Sequence, residues 1–234
     1  MKQKFITTPA FWDLFPEVEI AVLLANNVDN HSYANVPKEL LERANLQALK
    51  WVENDPISAN PVIKDWREAY QKFKTKKGAR CAVENLLKRA KQQKGVGSIN
   101  PVVDIYNSIS LEWGFPVAGE DRDFLEGDLK LTIAEGGEKF IPISEDNIEE
   151  ALRGEVVYKD ADSVISRCWA WRDSARVQVT EETKNLIFYM ENINPKRKED
   201  HEQAIKLLQK RLKTYLDIEA TSFLITKEQT EVAF

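Results

Sequence analysis

The periodicity of this chain changes once, at Gly114, and that switch limits what it can fold into. Ahead of Gly114, apolar residues mostly recur at helical spacing; after it, short apolar runs alternate with Gly and Asp turns. Pro37 stands at a natural first-turn position, and Leu40, Leu41, Ala44, Ala48, Trp51 and Val52 follow until Asp55-Pro56. A second helix is expected over 61–73. A third places Ala79, Val83, Leu86, Leu87 and Ala90 on one face, with Gly95 as its stop. Asn100 and Pro101 then read as the N-cap and first residue of a helix with Val102, Ile105, Tyr106, Ile109 and Trp113 inward. FPEVEIAVLLANNV, near the start, is the exception: a buried strand closed by asparagines.

Past Gly114, DLKLTIA, KFIPI, EVVYKD and SVISRCWAW read as strands, with a short helix from just after Ser144 to Leu152. A further strand holds Leu186 to Met190, an amphipathic helix covers 196–216, and SFLITKEQTEVAF ends the chain as a last strand. Helices first and strands later give an α+β class. No internal repeat or Pro/Gly/Ser linker divides the chain, so one domain over 1–234 is expected. Its lead, 1–95, is helical and basic, and 96–234 contains the sheet and a long C-terminal helix.

With 43% hydrophobic and 30% charged residues the chain can bury a core, which excludes disorder. No apolar run reaches the roughly 18 to 20 residues of a membrane span, and the N-terminus lacks a signal-peptide pattern, so a cytoplasmic protein without membrane association is expected. Cys81 and Cys168 are far apart, and His31 and His201 read as surface residues. No metal-ligand spacing exists, and neither metal nor cofactor is expected. The cysteines read as buried and inert. Glu120, Asp121, Asp123, Glu126 and Asp128 read as a solvated loop.

The net charge of −5 is unevenly spread. Over 64–94, eleven basic residues, Lys72, Lys74, Lys76, Lys77, Arg80, Lys88, Arg89 and Lys91 among them, face only Asp65, Glu68 and Glu84. Such a stripe could rest on an RNA phosphate backbone, or it could be a solvated helical face. DNA is not an expected partner.

The stretch INPVVDIYNSISLEWGFPVAGEDRDFLEGDLKLTIAEGGEKFIPI resembles the B3/B4 domain of the phenylalanyl-tRNA synthetase β subunit. The matching residues are Asp104, Ile105, Asn107, Glu112, Gly114, Pro116, Asp121, Gly127 and Asp128. EVVYKDADSVISRCWAWRDSARVQVTEETKNLIFYME resembles that family's later strands. The two matches span 100–191, and WREAYQKF with GARCAVENLLKRA is similar to the lead of free-standing members. The resemblance implies a pocket near Asn107 and Asn185 in a domain that, in the synthetase, removes wrongly attached tyrosine from tRNA. It therefore implies tRNA or aminoacyl-tRNA as partner. Hydrolysis of a mischarged ester in trans is the expected activity, with a non-catalytic module for tRNA, an amino acid or a nucleotide as the alternative. Because the ester is already activated, positioning a water supplies much of the acceleration, and no triad is required.

Two departures bear on the pocket. A histidine that follows Gly-x-Pro-Leu in the family is absent from Gly114-Phe115-Pro116-Val117-Ala118. A run of small residues is replaced by Cys168-Trp169-Ala170-Trp171-Arg172-Asp173-Ser174. Read as a strand, this segment puts Arg167, Trp169 and Trp171 on one face, where an indole could stack on an adenine or aromatic amino acid and an arginine could hold an anion. Core packing with arginine stems over the rings is the plainer use. Glu191 matches the glutamate that accepts the tyrosine hydroxyl in the synthetase, or is a strand-end carboxylate.

Overall fold

The computed structural model describes residues 2–143 and 147–234. Among these residues, twelve strands form three sheets. A six-stranded sheet runs β12-β1-β4-β7-β8-β9, from Glu231–Ala233 (β12), Lys4–Thr7 (β1), Leu129–Ile133 (β4), Val156–Lys159 (β7), Val164–Arg167 (β8) and Arg172–Asp173 (β9). A four-stranded sheet runs β11-β2-β10-β3, from Ala220–Ile225 (β11), Glu19–Ala25 (β2), Leu186–Asn192 (β10) and Val117–Asp121 (β3). A small hairpin pairs Lys139–Phe140 (β5) with Glu149–Glu150 (β6). Among the described strands only β1 and β4 run parallel, and the other pairings are antiparallel. With six α-helices among the described residues, the chain is α+β.

The continuous apolar run of β2 is explained by burial on both faces. Ile20, Val22 and Leu24 join one core, which also takes Phe5, Leu129, Leu131, Val156 and Tyr158 from the facing six-stranded sheet. Ala21, Leu23 and Ala25 join a second core against Pro101–Trp113 (α5) and Lys198–Leu216 (α6). The four-stranded sheet is thus the middle layer, with helices on one face and the other sheet on its second. Pro9–Leu14 (α1), Leu40–Gln47 (α2), Pro61–Ala69 (α3) and Ala82–Lys91 (α4) complete the helices of the described residues, and every helix except α6 contributes to the first core, α5 through Leu111.

Local chemistry agrees with the expected helices. Asn100 accepts from the Val103 amide at 3.0 Å, and Gly114, at φ 63°, ends α5 in the left-handed region. A Cβ on Gly114 would also stand 3.2 Å from the Trp51 ring. The lead is not wholly helical, since β1 and β2 each enter a sheet.

Four local expectations are corrected. The helix expected to start after Ser144 is instead, at Glu149–Glu150, a strand that gives Glu149 to a cluster of cations; Ser144, where it was to begin, lies outside the described residues. The final strand is two strands in different sheets. His201 is buried, with its ring stacked edgewise on Phe115 and Nε2 3.1 Å from the Met190 carbonyl. Glu120 and Asp121 are buried rather than solvated, because β3 carries them into the middle sheet.

Candidate functional site

The chemistry-bearing groups that meet lie between the two large sheets. In antiparallel pairing, directly opposed residues share a face. Tyr158, Ser166 and Asp173 stand opposite one another on β7, β8 and β9. Across the gap, Tyr189 of β10 presents the same face as Glu191 and as Glu120 of β3. The Tyr158 and Tyr189 rings stack at 4.2 Å with an interplanar angle of 19°, joining the two layers. The Tyr158 hydroxyl donates to Glu191 Oε1 at 2.7 Å, and the Tyr189 hydroxyl donates to Glu120 Oε1 at 2.6 Å. Glu120 Oε2 has no partner among the described residues.

Burial dominates the electrostatics here. It raises Glu191 to about 7 and pushes Glu120 well above the usual carboxylate range, with Asp173 raised for the same reason. Both tyrosines are driven well above their ordinary value, so they remain donors. The cluster is a set of phenols and of carboxyls that burial makes easier to protonate.

Trp169 closes one side. It is fully buried (0% exposed), with its ring centroid 5.2 Å from Phe11, 4.6 Å from Phe15 and 5.0 Å from Trp66. Its indole N–H faces Glu191 and helps hold that carboxyl down, but is not close or aligned enough for a hydrogen bond. The expected strand alternation over 167–171 is therefore corrected. β8 stops at Arg167, and Cys168 (φ 46°) and Trp169 (φ 65°) turn the chain in the left-handed region. That backbone suits glycine, yet a cysteine and a tryptophan adopt it here. Trp169 turns inward, while Arg167 and Arg172 stand directly opposite each other across the hairpin.

Arg167 is buried in an ion-pair cluster. It binds Glu155 through two bonds of 3.0 and 2.6 Å, and Glu149 at 2.5 Å. Arg172 approaches Glu149 at 3.7 Å. Trp171 is half-buried, with Arg172 5.3 Å and Arg167 6.0 Å from its ring, so it is the indole at the surface of this hairpin.

The other candidate residues are dispersed. Glu112 faces α6, where Arg211 binds both its oxygens at 2.9 Å; Asn107 is buried on the same helix, behind the middle sheet. Pro116 links α5 to β3. Asp121 accepts from the Asp123 amide, and Ser174 from the Arg176 amide, each capping a short helical turn. Asn185, bonded to Asp123 at 2.8 Å, sits six residues from Glu191, about 20 Å along an extended strand. Asn107 on α5, Asn185 just ahead of β10 and Trp169 in the turn after β8 thus lie on separate elements. Tyr158 and Tyr189 were missed because an aromatic residue in a largely apolar strand reads as core, and Glu120 because the acidic residues that follow it make it read as part of a solvated loop; their alternation with Val157, Phe188 and Val117 was the available signal.

Both cysteines are buried, and burial pushes their thiols up, Cys168 to about 12. Within 64–94, several cations are occupied: Lys76 by Glu149 at 2.7 Å, Lys91 by Asp55 and two carbonyls, Arg89 by the Gly95 carbonyl. Lys72 lies over the Phe15 ring. Lys74, Lys77 and Lys88 are exposed and make no ion pair among the described residues.

A B3/4 domain model matches residues 65–217, which include β3, the β8–β9 hairpin and β10. The chain belongs to the B3/4 domain family. Among curated proteins it is 33% identical over 107 residues to the phenylalanine–tRNA ligase β subunit of Tropheryma whipplei, covering 46% of this chain and 11% of that one. It is 29% identical over 114 residues to the β subunit of Fusobacterium nucleatum, covering 47% and 14%. The matched regions are thus a small part of these ligase subunits. Among solved structures, an N-terminal fragment of the phenylalanyl-tRNA synthetase β subunit from Pyrococcus horikoshii shares the fold, with a TM-score of 0.51 at 11% identity, covering 98% of this chain and 53% of the fragment. No helix among the described residues is long and apolar enough to cross a membrane.

Proposed function

We propose that this B3/4 protein binds tRNA, and that its inter-sheet pocket is filled by its own side chains instead of by a tyrosyl group. Kinship with the phenylalanine–tRNA ligase β subunit and the exposed cations of 64–94 support the partner. One observation carries the second half: the phenol of Tyr158 already donates to Glu191, which is 1% exposed, with Trp169 packed beside them. A carboxylate that reads a substrate hydroxyl has to be open to it, and here an internal phenol holds that position.

Binding of this kind is electrostatic, so affinity for tRNA falls steeply as salt rises. Replacing Lys74, Lys77 and Lys88 together by Glu is expected to weaken binding at least tenfold and to flatten the salt slope. A filter-binding titration in which the triple variant matches the parent protein at every salt concentration would sink the RNA half of this reading.

A second reading, hydrolysis of a mischarged aminoacyl ester, is favoured by Glu191, since a carboxyl near 7 suits general acid–base work. Its assay is ester cleavage across a panel of mischarged tRNAs. Cleavage above the uncatalysed rate that Glu191→Gln abolishes would replace the binding reading with this one.

A further inference from the structure

On the side of the molecule bearing the basic stretch, a cleft of about 310 Å³ opens between α3 and the segment leading to α4, lined by Arg67, Tyr70, Gln71, Thr75, Ala79 and Arg80. Its charge is unbalanced by construction. Glu84, nearly buried, is held by Arg67 through bonds of 3.1 and 2.7 Å, and the same carboxylate is the nearest anion to Arg80, whose Nε lies 3.9 Å away. Two guanidiniums thus share one carboxylate. Arg67 is satisfied by a bidentate contact. Arg80 is held only by that long approach and by a bond from Nη1 to the Ala79 carbonyl at 2.7 Å, so most of its fork is unused among the described residues. Thr75 and Gln71 add a hydroxyl and an amide, both capable of donating.

An arginine fork fixed at its base by a buried carboxylate, beside neutral donors, has the chemistry of an oxyanion seat. The volume exceeds what an inorganic anion fills and lies at the low end of small-molecule pockets, so the anion would arrive attached to something larger. Exposed Lys74 and Lys77 flank the cleft in sequence and raise the local concentration of anions.

The cleft also touches the interior. Tyr70 lines it, and the Tyr70 hydroxyl is buried without a hydrogen-bond partner among the described residues, near Cys81, Cys168 and Glu191. The segment between α3 and α4 is pinned to the β8–β9 hairpin by the Lys76 amide, which donates to Cys168 Sγ at 3.4 Å, and to β6 by the Lys76 ammonium, which pairs with Glu149. The cleft is therefore built on the hairpin that shapes the inter-sheet cluster.

We infer that the cleft between Arg67 and Arg80 is a subsite for one phosphate group of a nucleotide or nucleic-acid strand. This deepens the RNA-binding reading and rests on it for the identity of the strand. The probes are inorganic phosphate, adenosine 5′-monophosphate and a short unphosphorylated oligoribonucleotide, each compared with chloride at equal ionic strength. Amide NMR shifts at Gln71, Thr75, Ala79 and Arg80 are the readout. Saturable shifts with at least one phosphate-bearing probe and not with chloride are expected, about tenfold weaker in Arg80→Gln and largely kept in Arg80→Lys. Response to the oligoribonucleotide marks a phosphodiester seat, and response to the monophosphate or to phosphate alone marks a terminal phosphate; either supports the inference. Equal shifts with chloride, or Arg80→Gln binding like the parent protein, would overturn it. Because these probes report on the cleft alone, that failure would leave the tRNA titration with Lys74, Lys77 and Lys88 standing, and the reverse also holds.

Discussion

Trp169 shows at the scale of a single residue how this molecule departs from a small-residue turn. The indole fills space against Phe11, Phe15 and Trp66, and its backbone occupies the left-handed region at φ 65°. Truncation to Ala removes that packing and leaves the conformational cost in place, so Trp169→Ala is expected to lose about 3–5 kcal/mol in urea unfolding. Arg167 belongs to the same scale. It was read as a ligand-binding arginine from its neighbours Trp169 and Trp171, yet it lies buried between Glu155 and Glu149. An arginine next to tryptophans in sequence does not reveal whether a carboxylate is waiting inside, because Glu149 and Glu155 approach through a separate hairpin and the strand entry before β7. Glu191 could be singled out by its place in the motif, and it lies buried between the sheets; its partner Tyr158 could not be read beforehand, since nothing local ties the two strands together.

At the scale of elements, most helices could be read directly, because caps, prolines and periodicity are local. α5 is the clearest case, and its start is anchored beyond the cap. Asn100 also accepts from Asn30 at 3.1 Å and donates to the Val179 carbonyl, tying the helix to two loops. Asn100→Ala is therefore expected to cost about 2 kcal/mol, the upper end for an N-cap, in chemical denaturation. The β8–β9 hairpin was the element least legible. SVISRCWAW contains no Gly, Asn or Asp at its turn, so alternation through residue 171 was the natural reading. The turn is imposed by tertiary packing of Trp169, and the Lys76 amide on Cys168 adds a tie from a segment some ninety residues away.

Across the whole molecule, the two facing sheets enclose carboxyls that are easier to protonate than in the unfolded chain. For a group whose folded pKa is raised, the stabilisation is complete below the unfolded value and is lost as pH rises through the folded one. Glu191, ordinarily near 4.5 and here about 7, places that loss between roughly pH 4.5 and 7 and contributes on the order of 3 kcal/mol. Thermal stability is expected to decline across this window, and Glu191→Gln to flatten the decline. The α+β class and the family resemblance were both legible in sequence, because they rest on element order and on motifs spread over 100–191. The state of the pocket was not, because it depends on which side chains two separate sheets bring together. In the proposed function, the side-chain pocket is occupied from within. The most direct test is the affinity of the protein for one tRNA in tyrosylated and deacylated form, measured side by side by fluorescence titration. Equal affinities within about twofold are predicted, since the tyrosyl group finds Glu191 already engaged by Tyr158. A tenfold preference for the tyrosylated form would contradict it.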